Sequence, residues 1–559
     1  MKASPSRYYL FLAILISAAL GLGLALSTRY INFWPTDSYS HYLPAARKIF
    51  SLPHLSDMHF TFPDFPSQLK VHGKEVLILG IAVMQRILHD PQSLYPNVLL
   101  VIIAVSAASI LMYLVMRKFF DDQTALLAFF LLAGCFWPYQ YAIMGTHVPL
   151  ALMNALIAIC FIQRSGEKRL YNFFAGLFAG LAIFSSPTGP MYLPYVLGVF
   201  VYVNFRQAPR PFFKKIIWPV MLNLAGVFFV ALFLYYPWIY LHLRFYQTFV
   251  RISHDANHFY YYADQLKGYH FSDYMRGEGW LWILKYLWLM MPFLLVALSA
   301  AFLYVFFIYA KSRRRLFLAV LLALAGLSTL FINEFIQIAQ LGRSYFSCLP
   351  GIILIVCFAF YDLKQRFFAR WPLYVRKGAG IFLMFFIFSY LMHNAYIFFS
   401  DVYPSRMGTA HLEKWLLDHR IYEVATYADH PRKANIIEHL NNPKQPQKIA
   451  FRWIRSLREV NDGYVLVPPI HDKSILSNCL AEEFDQDPEL TALYDSGRFN
   501  DFVVASFKTL ASSKIWLQEE EICSYIDLIA EDIPAASREK GYVWVLDGKK
   551  LREEWFAGR

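Results

Sequence analysis

Apolar residues fill the first 400 positions in long blocks separated by short polar connections, and most blocks lack a polar face. Tyr8 to Leu26 is the first. At about 1.5 Å per helical residue it spans a hydrocarbon core of about 30 Å. Further blocks lie at Leu94 to Met116, Thr124 to Trp137, Val148 to Ile162, Leu170 to Phe184, Pro190 to Phe205, Ile216 to Ile239, Leu281 to Tyr309, Leu316 to Ile332, Tyr345 to Phe360 and Ala379 to Phe399. The pattern predicts about eleven transmembrane helices. Val76 to Leu88 differs: about 13 residues, interrupted by Gln85 and Arg86, fall short of a crossing and predict an interfacial or re-entrant helix.

From Asp401 the pattern becomes that of a soluble domain. Helix-like HLEKWLLDH (411–419) precedes strand-like VATYA (424–428), and YVLVPP, FVVASF and YVWVLD follow with stretches that read as helical, such as FRWIRSLREV, between them. The expected fold class is a polytopic α-helical membrane domain over residues 1–399, followed by a soluble α/β domain over 400–559. The tail contains no Gly-rich phosphate loop and no nucleophile elbow.

Composition agrees with a membrane chain: 57% hydrophobic and only 16% charged residues, with a mean hydropathy of +0.37. The net charge of +12 divides unevenly. Residues 1–399 carry 32 Lys+Arg against 14 Asp+Glu, whereas 400–559 carry 20 against 26. Cytoplasmic loops obeying the positive-inside rule explain that excess without nucleic acid. Lys2 and Arg7 put the N-terminus in the cytoplasm, and a cleaved signal peptide ending near Ala25-Leu26-Ser27 is the competing reading. Taking every second connection then collects Arg117-Lys118, Arg164 with Lys168-Arg169, Arg206 to Lys215, Lys311 to Arg315 and Lys364 to Lys377 on one side. The alternate loops hold most of the acids, including Asp37, Asp57, Asp64, Glu75, Asp255 and Glu334. The six cysteines show no CxxC spacing, so no zinc site or disulfide framework is indicated; Cys479 and Cys523 could pair if the tail is in an oxidising compartment.

This parity places two large loops, 28–75 and 240–280, and the tail on the external face, periplasmic or otherwise extracytoplasmic; the lack of an obvious retention signal and the compact tail favour a plasma (inner) membrane. The first loop opens with Trp34-Pro35-Thr36-Asp37-Ser38-Tyr39-Ser40-His41-Tyr42. A carboxylate held just outside a membrane helix, in a region short of acids, makes Asp37 a candidate for chemistry as well as an ordinary loop acid. Tyr39, His41 and Tyr42 beside it are further pocket candidates, and the second loop, rich in Tyr, His and Asp, would suit sugar stacking and hydroxyl contacts, or anchoring at the interface. Arg343, in QLGRSYFSCLP, stands where desolvation would strengthen an ion pair with phosphate, and snorkelling is its bland alternative. Lys74, in VHGKEVL, could reach a phosphate at the surface or a lipid headgroup. His147, in MGTHVPL, is a polar residue at a helix entrance, otherwise a capping or interfacial histidine.

In the order TDSYSHYLPAARKIF, HGKEVLILG, THVP, FSSPTGPMYLP and RSYFSCLP, these segments resemble the GT-C superfamily of integral-membrane glycosyltransferases, particularly the branch of the protein O-mannosyltransferases and the lipid A aminoarabinose transferase. The resemblance covers residues 1–400 and has clear departures. Ser38 stands where relatives often carry a second acid, Glu75-Val76 replace a Pro-Pro pair after Lys74, His147 replaces an acid, Ser186 replaces a lysine, and one residue is inserted between Arg343 and Tyr345. It implies inverting transfer of a hexose or pentose from a polyprenyl-phosphate donor to a protein, lipid or glycan acceptor at the external face. Asp37 would be the general base; Arg343, Lys74 and Tyr345 would bind the donor phosphate. No cofactor or metal is required on this reading, and a divalent cation is optional. Two rivals remain: a transporter or flippase for a lipid-linked saccharide, which would favour mid-span charges and inverted repeats, and a non-catalytic assembly partner.

Overall fold

The computed structural model describes residues 5–29, 42–54, 57–62, 69, 73–186, 188–206, 217–241, 284, 287–288, 290–308, 326, 346–368, 370–427, 448–467, 487–508 and 542–557. Its Cα packing divides into two units, one built mainly from Pro96–Ile397 with the preceding helices, the other mainly from Phe398–Arg559. The first contains helices α1 (Pro5–Ser27), α2 (Leu43–Phe50), α3 (Glu75–Leu88), α4 (Tyr95–Phe119), α5 (Asp122–Ala133), α6 (Phe136–Ile143), α7 (Val148–Arg164), α8 (Leu170–Ser185), α9 (Leu193–Arg206), α10 (Trp218–Leu241), α11 (Pro292–Ile308), α12 (Leu349–Leu363) and α13 (Leu373–Ile397). The expected loop 240–280 lies outside the described residues apart from 240–241, and the block Leu316 to Ile332 apart from 326.

Among the described residues, Arg7–Ser27, Tyr95–Phe119, Phe346–Phe367 and Leu373–Ser400 are long and apolar enough to cross a bilayer. Val148–Arg164, Leu170–Ser185, Trp218–Leu234 and Pro292–Val305 are shorter apolar helices. The chain is thus an integral membrane protein, mostly helical, with several candidate spans.

Thr124 to Trp137 is expected as one span, but the helix breaks there. Asp122–Ala133 and Phe136–Ile143 meet at 44° and together would make a fifth crossing. A side chain at Gly134 would strike the Leu391 side chain of α13 and the Phe130 carbonyl, so the Leu391 side chain fills the space at the bend. The amide of Phe136 donates to Asn394 Oδ1 at 3.1 Å, and Tyr390 donates its hydroxyl to the Leu131 carbonyl at 2.7 Å. Groups freed from the helical ladder are satisfied by α13, as apolar surroundings require.

Elsewhere helices pack through small residues. A Cβ on Gly176 of α8 would collide with the Asn223 backbone of α10, and one on Gly226 of α10 with the Phe173 carbonyl. This close crossing sets the height of α8 against α10. The amphipathic α3 spans about 21 Å. It lays its buried Leu77, Ile78, Ile81 and Ala82 along α2, which buries Leu43, Ala45, Ala46 and Ile49. Arg86 donates to the Leu52 carbonyl at 2.5 Å and Arg47 to the Pro91 carbonyl at 2.6 Å, closing the pair at its far end.

The second unit contains α14 (Tyr403–Asp418), β1 (Glu423–Tyr427), β2 (Ala450–Ile454), β3 (Tyr464–Val467), α15 (Pro488–Asp495), β4 (Val503–Lys508) and β5 (Tyr542–Asp547). The strands form a mixed sheet of order β2-β1-β3-β5-β4, with β2, β1 and β3 parallel and β5 antiparallel to both its neighbours. Leu412 and Leu416 of α14 are buried, and Trp415 meets the rings of Tyr464 and Phe507. Val465, Val467, Trp544 and Leu546 join a core with Leu493, Phe499 and Phe502. The expected helix in FRWIRSLREV is a correction: Ala450–Ile454 is an edge strand in register with β1, followed by a short 3-10 turn at Leu457–Glu459. Parallel pairing with β1 outweighs the helical reading of so short a segment.

Between α4 and α5 the chain is tied to the end of α12. Asp121 caps α5, accepting from the Thr124 amide at 2.9 Å, and takes Lys364 Nζ at 2.6 Å. Burial raises the proton affinity of this carboxyl, but the bonds from Lys364 and Thr124 outweigh it and hold the group below the ordinary carboxylate value. A carboxylate depressed in the folded state contributes stability that is complete above its unfolded value and is lost as pH falls through the folded one. Asp121→Asn is therefore expected to lower the melting temperature of the detergent-solubilised protein at pH 7. The gap from wild type should close as pH falls below about 4; a gap independent of pH would show that the ion pair contributes nothing.

Candidate functional site

The sequence-selected residues divide into two groups. Asp37, Tyr39, His41, Arg343 and Tyr345 lie outside the described residues. Tyr42, Lys74 and His147 are described, and although 105 positions separate the first from the last, they come together.

Lys74 enters the site from a turn. Gly73 has φ of 71°, a conformation glycine adopts without a Cβ penalty, and its amide donates at 3.0 Å to Oε1 of the fully buried Glu75. This turn starts α3 and puts Lys74 Nζ 4.8 Å from the centroid of the Tyr42 ring. An ammonium over an aromatic face is attracted by the ring quadrupole. Tyr42 itself directly precedes α2 and is 1% exposed.

The edge of that buried ring system continues to His147, whose ring centroid stands 6.2 Å from that of Tyr42 at an interplanar angle of 62°. His147 precedes α7, where Pro149 suits the first helical turn. Its side chain makes no capping bond to the helix. Instead Nδ1 lies 2.7 Å from Ser186 Oγ at the end of α8, and Ser186 Oγ lies 2.7 Å from Thr188 Oγ1. The Thr188 amide also donates to Ser186 Oγ at 3.1 Å, a local serine turn that holds the hydroxyl in place. About two turns further along α7, Asn154 donates to Ser185 Oγ at 3.1 Å, so the two helices share two polar ties. His147, Ser185, Ser186 and Thr188 are all buried.

A second wall comes from the segment after Arg343. Phe346 is buried and meets Trp137 and Tyr141 of α6 edge-on, at 5.6 and 5.5 Å between centroids. Tyr195 donates its hydroxyl to the Ser347 carbonyl at 3.1 Å. The carbonyl of the same Tyr141 accepts from the Thr146 amide at 3.0 Å, one residue before His147. Packing thus joins the remnant of RSYFSCLP to the turn that carries THVP.

The arrangement offers a cation, an aromatic face, an imidazole and two hydroxyls, groups that suit an anion and the hydroxyls attached to it. Among the described residues no group of three His, Cys, Asp or Glu side chains could hold a metal ion. The sequence pointed to Tyr42, Lys74 and His147 individually, but Ser186 stood out in it only as a departure from the family pattern, and neither its contact with His147 nor the part played by Thr188 was visible. Polar residues at the ends of apolar blocks were the only signal.

The profile of the dolichyl-phosphate-mannose-protein mannosyltransferase family matches residues 80–240. No curated protein matches the chain. Among solved structures, the Archaeoglobus fulgidus oligosaccharyltransferase in complex with zinc and sulfate is similar at 14% identity and a TM-score of 0.42, covering 78% of this chain and 62% of its own. The oligosaccharyltransferase AglB from Archaeoglobus fulgidus, solved with an inhibitory peptide and a dolichol-phosphate, is similar at 13% identity and a TM-score of 0.43, covering 82% and 69%. The present chain thus spans under two thirds of the length of the first. Over residues 80–240, the stretch that carries His147 and Ser186, the chain resembles the dolichyl-phosphate-mannose-protein mannosyltransferases, as its motifs suggest.

Proposed function

We propose that the protein is a membrane glycosyltransferase that moves a sugar from a polyprenyl-phosphate donor to a protein, lipid or glycan acceptor at the external face. The observation that carries this reading is the assembly of the half-buried Lys74 with the buried Tyr42, His147 and Ser186, from four separate motifs, into one cluster. Chain reach supports adding the remaining candidates. Arg343 is three positions along the chain from the anchored Phe346, at most about 11 Å, and Asp37 five positions from Tyr42, at most about 18 Å.

In the proposed reaction the acceptor oxygen attacks C1 of the sugar while Asp37 takes its proton. The C1–O bond to phosphate breaks with inversion, and the lipid phosphate leaves with the bonding electrons. Lys74 and Arg343 stabilise the charge that builds on the phosphate, and Tyr345 binds beside them. The reading places about eleven spans in residues 1–399, the N-terminus in the cytoplasm, and the domain of 400–559 outside the plasma (inner) membrane. It requires no cofactor, and a divalent cation is optional.

Incubation with a radiolabelled polyprenyl-phosphate sugar tests the proposal. The wild type should transfer label, and Asp37→Asn should lose roughly 10²–10⁴-fold of the rate while remaining folded. Near-normal turnover in that variant removes Asp37 from the mechanism, and movement of the intact lipid-sugar without bond cleavage replaces the transferase by a transporter. Arg343→Ala should lower kcat/KM for the donor roughly 10²–10³-fold. An unchanged donor dependence contradicts the role given to that residue.

A further inference from the structure

Resting on the donor reading above, we propose that Asn97 positions the sugar of the donor, its carboxamide bridging two neighbouring hydroxyls. Asn97 sits in the first turn of α4 and is 0% exposed. Neither its Oδ1 nor its Nδ2 has a hydrogen-bond partner among the described residues. An asparagine at a helix start ordinarily caps backbone amides. This one does not, and buried polar atoms are very rarely left without partners.

The place of the amide ties it to the site. Gly145 has φ of 62°, and an ideal Cβ there would stand 2.5 Å from Asn97 Nδ2 and 2.7 Å from its Cγ. Any other residue at 145 would need both a strained backbone and the space the carboxamide occupies. The backbone amides of that turn are engaged, Met144 with Gln140, Gly145 with Ala142 and Thr146 with Tyr141. Two residues along from Gly145 is His147, whose ring meets Tyr42, over which Lys74 lies.

The partner must both donate and accept, because the carboxamide has both functions free among the described residues. A phosphate at neutral pH mainly accepts, and a prenyl chain does neither. Adjacent sugar hydroxyls do both, so the amide reads the sugar and Lys74 the phosphate.

Thermal melting of the full-length protein in detergent tests this, with polyprenyl-phosphate mannose and unglycosylated polyprenyl phosphate as the two probes. Wild type should be stabilised more by the glycosylated lipid. Asn97→Leu, close in volume and unable to hydrogen-bond, should melt no lower than wild type without ligand, and its response to the two lipids should become equal. Its donor KM should rise roughly tenfold or more with the acceptor KM unchanged, and Asn97→Ser, which keeps a donor and an acceptor, should recover part of that loss. A lower unliganded melting temperature with the donor response intact would show that the amide holds an internal partner such as a bound water, and would overturn the assignment. Label transfer by the wild type together with an unchanged donor KM in Asn97→Leu overturns this inference alone. A wild type that neither transfers label nor responds to either lipid removes the donor reading and the inference together.

Discussion

The contact between His147 Nδ1 and Ser186 Oγ is the interaction on which the rest of the site depends. It joins the entrance of α7 to the exit of α8 where both are buried. In such surroundings a hydrogen bond is electrostatically stronger than in water, and breaking it from one side leaves the other group unsatisfied. The contact forms only if α8 lies at the right height against α7, a fit that the Asn154–Ser185 bond shares. Within the apolar layer α8 is also held close to α10, where Gly176 and Gly226 admit backbone-to-backbone approach. Residues with no chemistry of their own therefore position those that have some.

The same requirement, that no backbone group be stranded in apolar surroundings, shapes the bend between α5 and α6. The break at Gly134 gives α6 its own direction, and α13 supplies Asn394 and Tyr390 to complete the bonds the helix gives up. A straight helix from Thr124 to Trp137 would lack that change of direction. With the bend, Tyr141 can receive Phe346 on its ring and Thr146 on its carbonyl, so one residue links two motifs distant in sequence.

Much of the membrane part was legible because apolar block length is a direct reading of what a helix needs in a bilayer, and the short, charge-interrupted α3 stood out by the same measure. The bend was not legible: Gly134-Cys135 carries no signal unless one knows that Leu391 packs against it. In the tail, β1, β3, β4 and β5 follow their alternating or β-branched runs, while AFRWI, with three charged or aromatic residues in five, became a strand through pairing that a single sequence does not display. For the site, residue type and position at block ends selected Tyr42, Lys74 and His147. Pairing of His147 with Ser186 is a tertiary fact, set by helix crossing, which local pattern does not encode.

The histidine at 147 also changes what the site needs electrostatically. A carboxylate buried at this depth would carry a desolvation cost that only a cation or a metal ion could offset. A neutral imidazole needs only hydrogen bonds, and Ser186, backed by Thr188, provides one within the protein. The neighbouring cation, Lys74, is then not drawn to an acid at position 147 and lies over an uncharged ring instead. An ammonium over a ring face is attracted by the ring quadrupole, and a phosphate that reaches it gains a charge-assisted bond. On the proposed reading, the exchange of acid for histidine leaves base chemistry to Asp37.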